Sequence, residues 1–186
     1  MGRRPGLQQL IPMEKSAILS PCGTFRYELH RRWDSFLPCA GFIMLNPSTA
    51  DASVDDPTIR KCIGFAQRLG FGEIRVVNLF AYRATDPAAL RAADWPVGPD
   101  NDWHIEMAVK ESSDAVICAW GANARGLSRT DEVLSMISRW SSKPKALSLL
   151  SDGTPAHPLM VPYSDTWIDL ETGARSDRRR AMRPAP

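Results

Sequence analysis

Four short polar words hold most of the side chains in this sequence that could do chemistry: Leu45-Asn46-Pro47-Ser48-Thr49-Ala50-Asp51, Asn78-Leu79-Phe80, Ala119-Trp120-Gly121 and Gly153-Thr154-Pro155-Ala156-His157-Pro158-Leu159. Each follows a run rich in Val, Ile, Leu or Met. Asn46 and Asn78 each offer an amide acceptor and a donor pair, a match for the edge of a nucleobase or for a water that must be held in place. Asp51 supplies a carboxylate that could orient or deprotonate that water. His157 supplies a proton that titrates near neutrality and a donor for a developing anion. Phe80 and Tyr82 could stack on a planar base, and Arg83 and Arg60 could receive a phosphate in bidentate fashion.

Each of these residues also has a plainer reading. Asn-Pro is a turn-forming step, and an Asn there often bonds its own backbone. Asp51, Asp55 and Asp56 precede Pro57, and Asp56 reads as the cap of a helix opening at that proline. Aromatics near a sheet end are commonly core, exposed Arg is commonly solvated, and Leu159 reads equally well as a core residue. Asn is disfavoured in strands, so Asn78 at the end of a Val-rich run needs a reason. His30 and His104 fall on strand and helix patterns and carry no functional assignment. One candidate His and no paired Cys exclude an evident metal site, and no cofactor is expected.

The elements that must position these words follow from hydrophobic periodicity. Gly41–Leu45, Ile74–Val77, Ala115–Trp120 and Ala146–Leu150 read as buried strands. Helices are predicted from Pro57 to about Leu69, near 88–92, over 100–112 and around 130–140. Phe25–Trp33 alternates partly and reads as an antiparallel edge strand. Alternating strands and helices predict an α/β fold of three layers, α/β/α, with a central, mainly parallel four-stranded sheet plus that N-terminal edge strand. In such sheets ligands bind outside the carboxyl ends of the strands, where all four words fall. Residues 1–20 read as an N-terminal arm, 21–170 as a single domain and 171–186 as a basic, mobile tail.

Composition narrows the function classes. The 186 residues, 44% of them hydrophobic and 24% charged, fit one globular domain. No apolar run approaches a membrane span, no signal-peptide core follows the basic start, and a cytoplasmic location is expected. Cys22, Cys39, Cys62 and Cys118 are too widely spaced for a zinc finger and read as free thiols. A net charge of +2 is too mild to name a partner, although Arg175, Arg178, Arg179, Arg180 and Arg183 crowd the tail. The phosphate-binding, dinucleotide-binding and nucleophile-elbow glycine motifs are absent.

The words Phe25-Arg26-Tyr27 to Trp33, Ile43 to Asp51, Asp56-Pro57-Thr58-Ile59-Arg60, Val77 to Pro87, Ala119-Trp120-Gly121 and Gly153 to Leu159, in that order, resemble the bacterial and phage family known as domain of unknown function 1643. The resemblance runs from about Cys22 to Pro162. More distantly the same order is similar to the uracil-DNA glycosylase superfamily. Asn46-Pro47 matches the water-positioning step of its mismatch-specific branch, Asn78 its base-reading Asn, Ala119-Trp120-Gly121 its Leu-Trp-Gly word and His157-Pro158 its His-Pro loop. No acidic residue stands at position 46, no Gly two residues before it, and Ser-Pro does not follow Pro158.

This resemblance implies a glycosylase-like hydrolase that cleaves an N-glycosidic bond in DNA or a nucleotide, with nucleic acid or a nucleotide as partner. Asn46 would position water through its carbonyl oxygen, Asp51 would supply the carboxylate, and His157 would stabilise the departing base. Asn78 would read the base edge and Phe80 would stack on it. Leu159 could fill the gap left by a base flipped out of DNA. The alternatives are a non-catalytic nucleotide or modified-DNA binder, favoured by the missing acid at position 46, and a protein-interaction domain.

Overall fold

The computed structural model describes residues 12–48, 53–112, 115–140 and 143–176. It is a mixed α/β structure built on one eight-stranded sheet in the order β1-β2-β4-β3-β5-β6-β7-β8. The strands are β1 (Glu14–Leu19), β2 (Arg26–Arg32), β3 (Cys39–Met44), β4 (Glu73–Asn78), β5 (Val116–Cys118), β6 (Pro144–Ala146), β7 (Trp167–Asp169) and β8 (Arg175–Ser176). The helices are α1 (Pro57–Arg68), α2 (Pro87–Ala92), α3 (Asn101–Glu111) and α4 (Ser128–Arg139).

The four middle strands, β4-β3-β5-β6, are mutually parallel. β3, β4 and β5 fall on three of the four apolar runs, because strands covered on both faces must be apolar throughout, whereas β6 meets the fourth run only at Ala146. Period-2 geometry then divides their side chains. Ala40, Phe42 and Met44 of β3 pack with Ile59, Cys62, Ile63 and Ala66 of α1. Ile43 and Leu45 pack on the other side with Ile105 and Val109 of α3 and Val133 and Ile137 of α4. α1 starts where its sequence dictates: Asp56 caps it by accepting from the Ile59 N–H at 2.8 Å, and Pro57 occupies the first turn.

The sheet departs from the expected four strands and single edge strand. Antiparallel pairs flank the parallel middle on both sides and outnumber the parallel ones. β2 is antiparallel to β4 as expected, but it is not an edge strand: β1, drawn from the segment read as an arm, covers it. Five of the six residues of β1 are exposed, so it carries no hydrophobic period to read. β2 looked half-exposed because it is rich in charge, yet Arg26, Glu28 and Arg31 are buried. Two of them are visibly paired: Glu28 with Arg75 at 2.6 Å and Arg31 with Asp55 at 2.7 Å. β7 and β8 are too short for any periodic signal. β6 ends at Ala146, earlier than predicted, because Leu149 bridges to Pro155 instead.

Candidate functional site

After β3 the chain runs to β4 on one side, and after β5 it runs to β6 on the other. Their carboxyl ends therefore diverge, and an open α/β sheet has its ligand crevice at such a switch point. A cleft of about 500 Å3 lies there, bordered by Asn46, Ser48, Thr58, Trp120, Gly121, Asn123, His157 and Met160 among others. Words from β3, β5 and the loop after β6 thus meet in one cavity, as the sequence predicts.

Asn46 is half-buried, and its orientation is fixed by its own loop. Its Nδ2 donates to the Ala84 carbonyl at 2.7 Å and to the Pro47 carbonyl at 3.1 Å. Two carbonyl partners require the nitrogen on that side, so Oδ1 is the atom left to accept. The Ala84 N–H returns a bond to the Pro47 carbonyl at 3.1 Å. The turn reading and the site reading of Asn46 are therefore compatible: the donor end makes the turn and the acceptor end remains.

His157 is half-buried and precedes a 3-10 turn over Pro158–Met160. The Leu159 N–H donates to its Nδ1 at 3.3 Å. A nitrogen that accepts carries no proton, so the neutral ring bears its proton on Nε2. Burial lowers its pKa from the ordinary value, and the carboxylate of Asp56 opposes that only in part. The arrangement is a neutral imidazole with one N–H to give.

Gly121 connects two of the words. It sits at φ 78° and ψ −177°, a region that essentially only glycine occupies. A Cβ on it would lie 2.8 Å from the Cβ of His157, and its N–H donates to the Pro155 carbonyl at 3.0 Å. The His-Pro loop therefore rests directly on the Trp-Gly step. Trp120 is 3% exposed and serves both as core and as cleft wall.

The remaining predicted residues divide. Phe80 is half-buried and walls a smaller, largely apolar compartment of about 150 Å3, with Leu45, Leu90, Pro96 and Leu127. That compartment shares Leu45 and Asn123 with the main cleft. Tyr82 and Arg83 border a third compartment of about 420 Å3 with Thr24, Ser48 and Thr85. Asn78 is 1% exposed, borders none of the three, and its Nδ2 has no hydrogen-bond partner among the described residues. Its carbonyl and that of Leu79 are held from below by Asn101, while Arg129 also donates to Leu79. Arg60 is exposed on the first turn of α1, donating to the Asp55 carbonyl, away from the cleft lining. Leu159 is 48% exposed beside Met160. Asp51 lies outside the described residues.

Asp55 has a firm structural task. Its carboxylate takes Arg31 Nε and Lys15 Nζ, each at 2.7 Å, and ties the β1–β2 pair to the loop before α1. Burial would raise its pKa, but the bonds from Lys15 and Arg31 outweigh it and hold the carboxyl below the usual range. Asn123, Thr58 and Ser48 border the cleft without having been named as site residues, since isolated polar residues in turns and at a helix start carry no pattern. No group of His, Cys, Asp or Glu suited to hold a metal occurs among the described residues, and no helix there is long and apolar enough to cross a membrane.

The family model described as protein of unknown function (DUF1643) matches residues 26–159. The chain belongs to that family. The matched span contains β2 through the His157 turn, so it takes in the described part of the cleft except Met160. No curated protein and no solved structure matches the chain.

Proposed function

We propose that this family member hydrolyses an N-glycosidic bond, releasing a nucleobase from DNA or a nucleotide. One observation carries the reading: Asn46 Oδ1, freed as an acceptor by two backbone bonds on the other end of its amide, borders the same cleft as the neutral His157. The parallel middle of the sheet and the order of the four words, similar to those of the uracil-DNA glycosylase superfamily, support it. In this reading the bond from the sugar carbon to the base nitrogen breaks and its electron pair leaves with the base. His157 Nε2–H hydrogen-bonds the charge developing on that base. Water held by Asn46 Oδ1 adds to the sugar carbon and gives its proton to a carboxylate, for which Asp51 is the candidate. The apolar compartment walled by Phe80 is the seat of the base, with Asn123 at its mouth as the amide that meets the base edge in place of the buried Asn78. Leu159, exposed beside the cleft, is placed to fill a gap in a duplex.

A second reading is a binder that does not cleave. It is favoured by the commitments of the visible carboxylates: Asp55 is paired with Arg31 and Lys15, and Asp56 caps α1. Mass spectrometry for free base and an abasic product, on oligonucleotides and nucleotides with normal, mismatched, deaminated and hypermodified bases, separates the two.

A further inference from the structure

We infer that the compartment beside the main cleft is a phosphate seat built around Arg83, so that the ligand is a phosphorylated nucleoside rather than a bare base or nucleoside. The inference rests on the proposed glycosidic site and adds the part of the substrate that the site must hold on its far side.

Arg83 borders a compartment of about 420 Å3 together with Thr24, Ser48, Tyr82 and Thr85. Four of these five residues bring a hydroxyl and the fifth a guanidinium; among the described residues no carboxylate borders it. Arg83 is half-buried, and its Nη1 is anchored by the Gly23 carbonyl at 3.2 Å. Its Nε is buried with no hydrogen-bond partner among the described residues. The half-buried Arg75 and the buried Arg31 and Arg129 each face a carboxylate. Arg83 forms no ion pair among the described residues. A fixed, part-buried guanidinium with unused donors and hydroxyls around it is the chemistry that receives a phosphate.

Its place in the fold gives the seat its meaning. Ser48, Ala84 and Thr85 border both this compartment and the main cleft. Ala84 is the residue whose carbonyl fixes Asn46, and the Arg83 N–H itself bonds the Thr24 carbonyl at 3.1 Å. The wall between the two spaces is therefore a backbone already pinned at both ends. The apolar Phe80 compartment meets the main cleft at Leu45 and Asn123 instead. The Phe80 compartment, the main cleft and the Arg83 compartment therefore neighbour one another in the order that base, sugar and phosphate require.

The test compares binding of nucleoside 5′-monophosphates with that of the matching nucleosides, by calorimetry, in the wild type, Arg83→Gln, Arg83→Lys and His157→Ala. Inorganic phosphate, followed by phosphorus NMR, serves as the minimal probe. The expected result is a monophosphate preference of roughly tenfold or more, the effect of one charge-assisted contact. Arg83→Gln abolishes it, Arg83→Lys keeps part of it, and His157→Ala, which touches the base rather than the phosphate, weakens nucleoside and monophosphate alike. A short single strand distinguishes the source: tighter binding than the monophosphate, with the same dependence on Arg83, identifies a strand phosphate, and weaker binding identifies a free nucleotide. Equal affinity for nucleoside and monophosphate, an Arg83→Gln protein that retains the preference while unfolding at the wild-type temperature, or no phosphate binding at millimolar concentration overturns the inference. Phosphate binding without base release would instead leave the seat standing and count against the glycosidic reading.

Discussion

Replacing Gly121 by Ala tests whether the Trp-Gly step really seats His157. The backbone there, at φ 78° and ψ −177°, costs a non-glycine residue on the order of 1–3 kcal/mol. The added Cβ would also stand 2.8 Å from the His157 Cβ. Carbon atoms prefer about 3.5–4.0 Å, so the two loops must part by roughly 1 Å. Gly126 is the control: its φ is also positive, +68°, but a Cβ there meets nothing within 4 Å. Gly126→Ala should cost only the backbone penalty, about 1–2 kcal/mol. Gly121→Ala should cost more, in the upper part of its range, which for a domain of this size lowers the melting temperature by several degrees, at roughly 2–4 °C per kcal/mol. Urea denaturation measures both, with the midpoint shifting and the slope unchanged. Imidazole NMR adds the specific readout: the His157 resonances move in Gly121→Ala, while those of His30 and His104 stay. A Gly121→Ala protein no less stable than Gly126→Ala, with His157 unmoved, would refute the argument.

Three further outcomes are expected. Asn46→Asp should destabilise the protein by about 1–3 kcal/mol at neutral pH in chemical denaturation, because an oxygen would replace the nitrogen that now faces the Ala84 and Pro47 carbonyls; a neutral effect would show that the amide is free to turn. His157 should titrate below the ordinary His value, first because of burial, with Asp56 opposing in part. The unfolded chain then binds the proton more readily, so the His157 contribution to stability is complete above the unfolded pKa, near 6.5, and declines as pH falls toward the lower folded one; NMR titration that placed His157 above 6.5 would contradict this. Arg129→Met should lower stability by about 1–3 kcal/mol, since its Nε serves the Leu79 carbonyl while its head meets Asp102 and Glu132; an unchanged urea midpoint would mean that Asn101 alone holds the end of β4.

The parallel middle of the sheet was legible because burial on both faces leaves unbroken apolar runs at β3, β4 and β5. α1 was legible because Asp56, Pro57 and Gly70 mark its limits with backbone chemistry. The outer strands were not. β1 displays mostly exposed residues, β2 hides its charges in pairs made with distant residues, and β7 and β8 are shorter than one full alternation. Pairing across the fold, such as Arg31 with Asp55, is invisible in a linear reading. The candidate site was legible through its strand-end words, and Asn46, Trp120, Gly121 and His157 do border one cleft. Asn78 was named for its type and position, but the period of β4 and the packing above it bury its side chain. The contact between Gly121 and His157 joins positions far apart in sequence, so the reason for that glycine became visible only in three dimensions.

Incubating the purified protein with the base panel, single-stranded, double-stranded and as free nucleotides, and weighing the products decides whether the cleft cleaves an N-glycosidic bond. The expected result is release of a free base with an abasic or base-less sugar product, lost in Asn46→Ala and in His157→Ala proteins that remain folded. Intact substrates throughout, or release that persists undiminished in both variants, would contradict it.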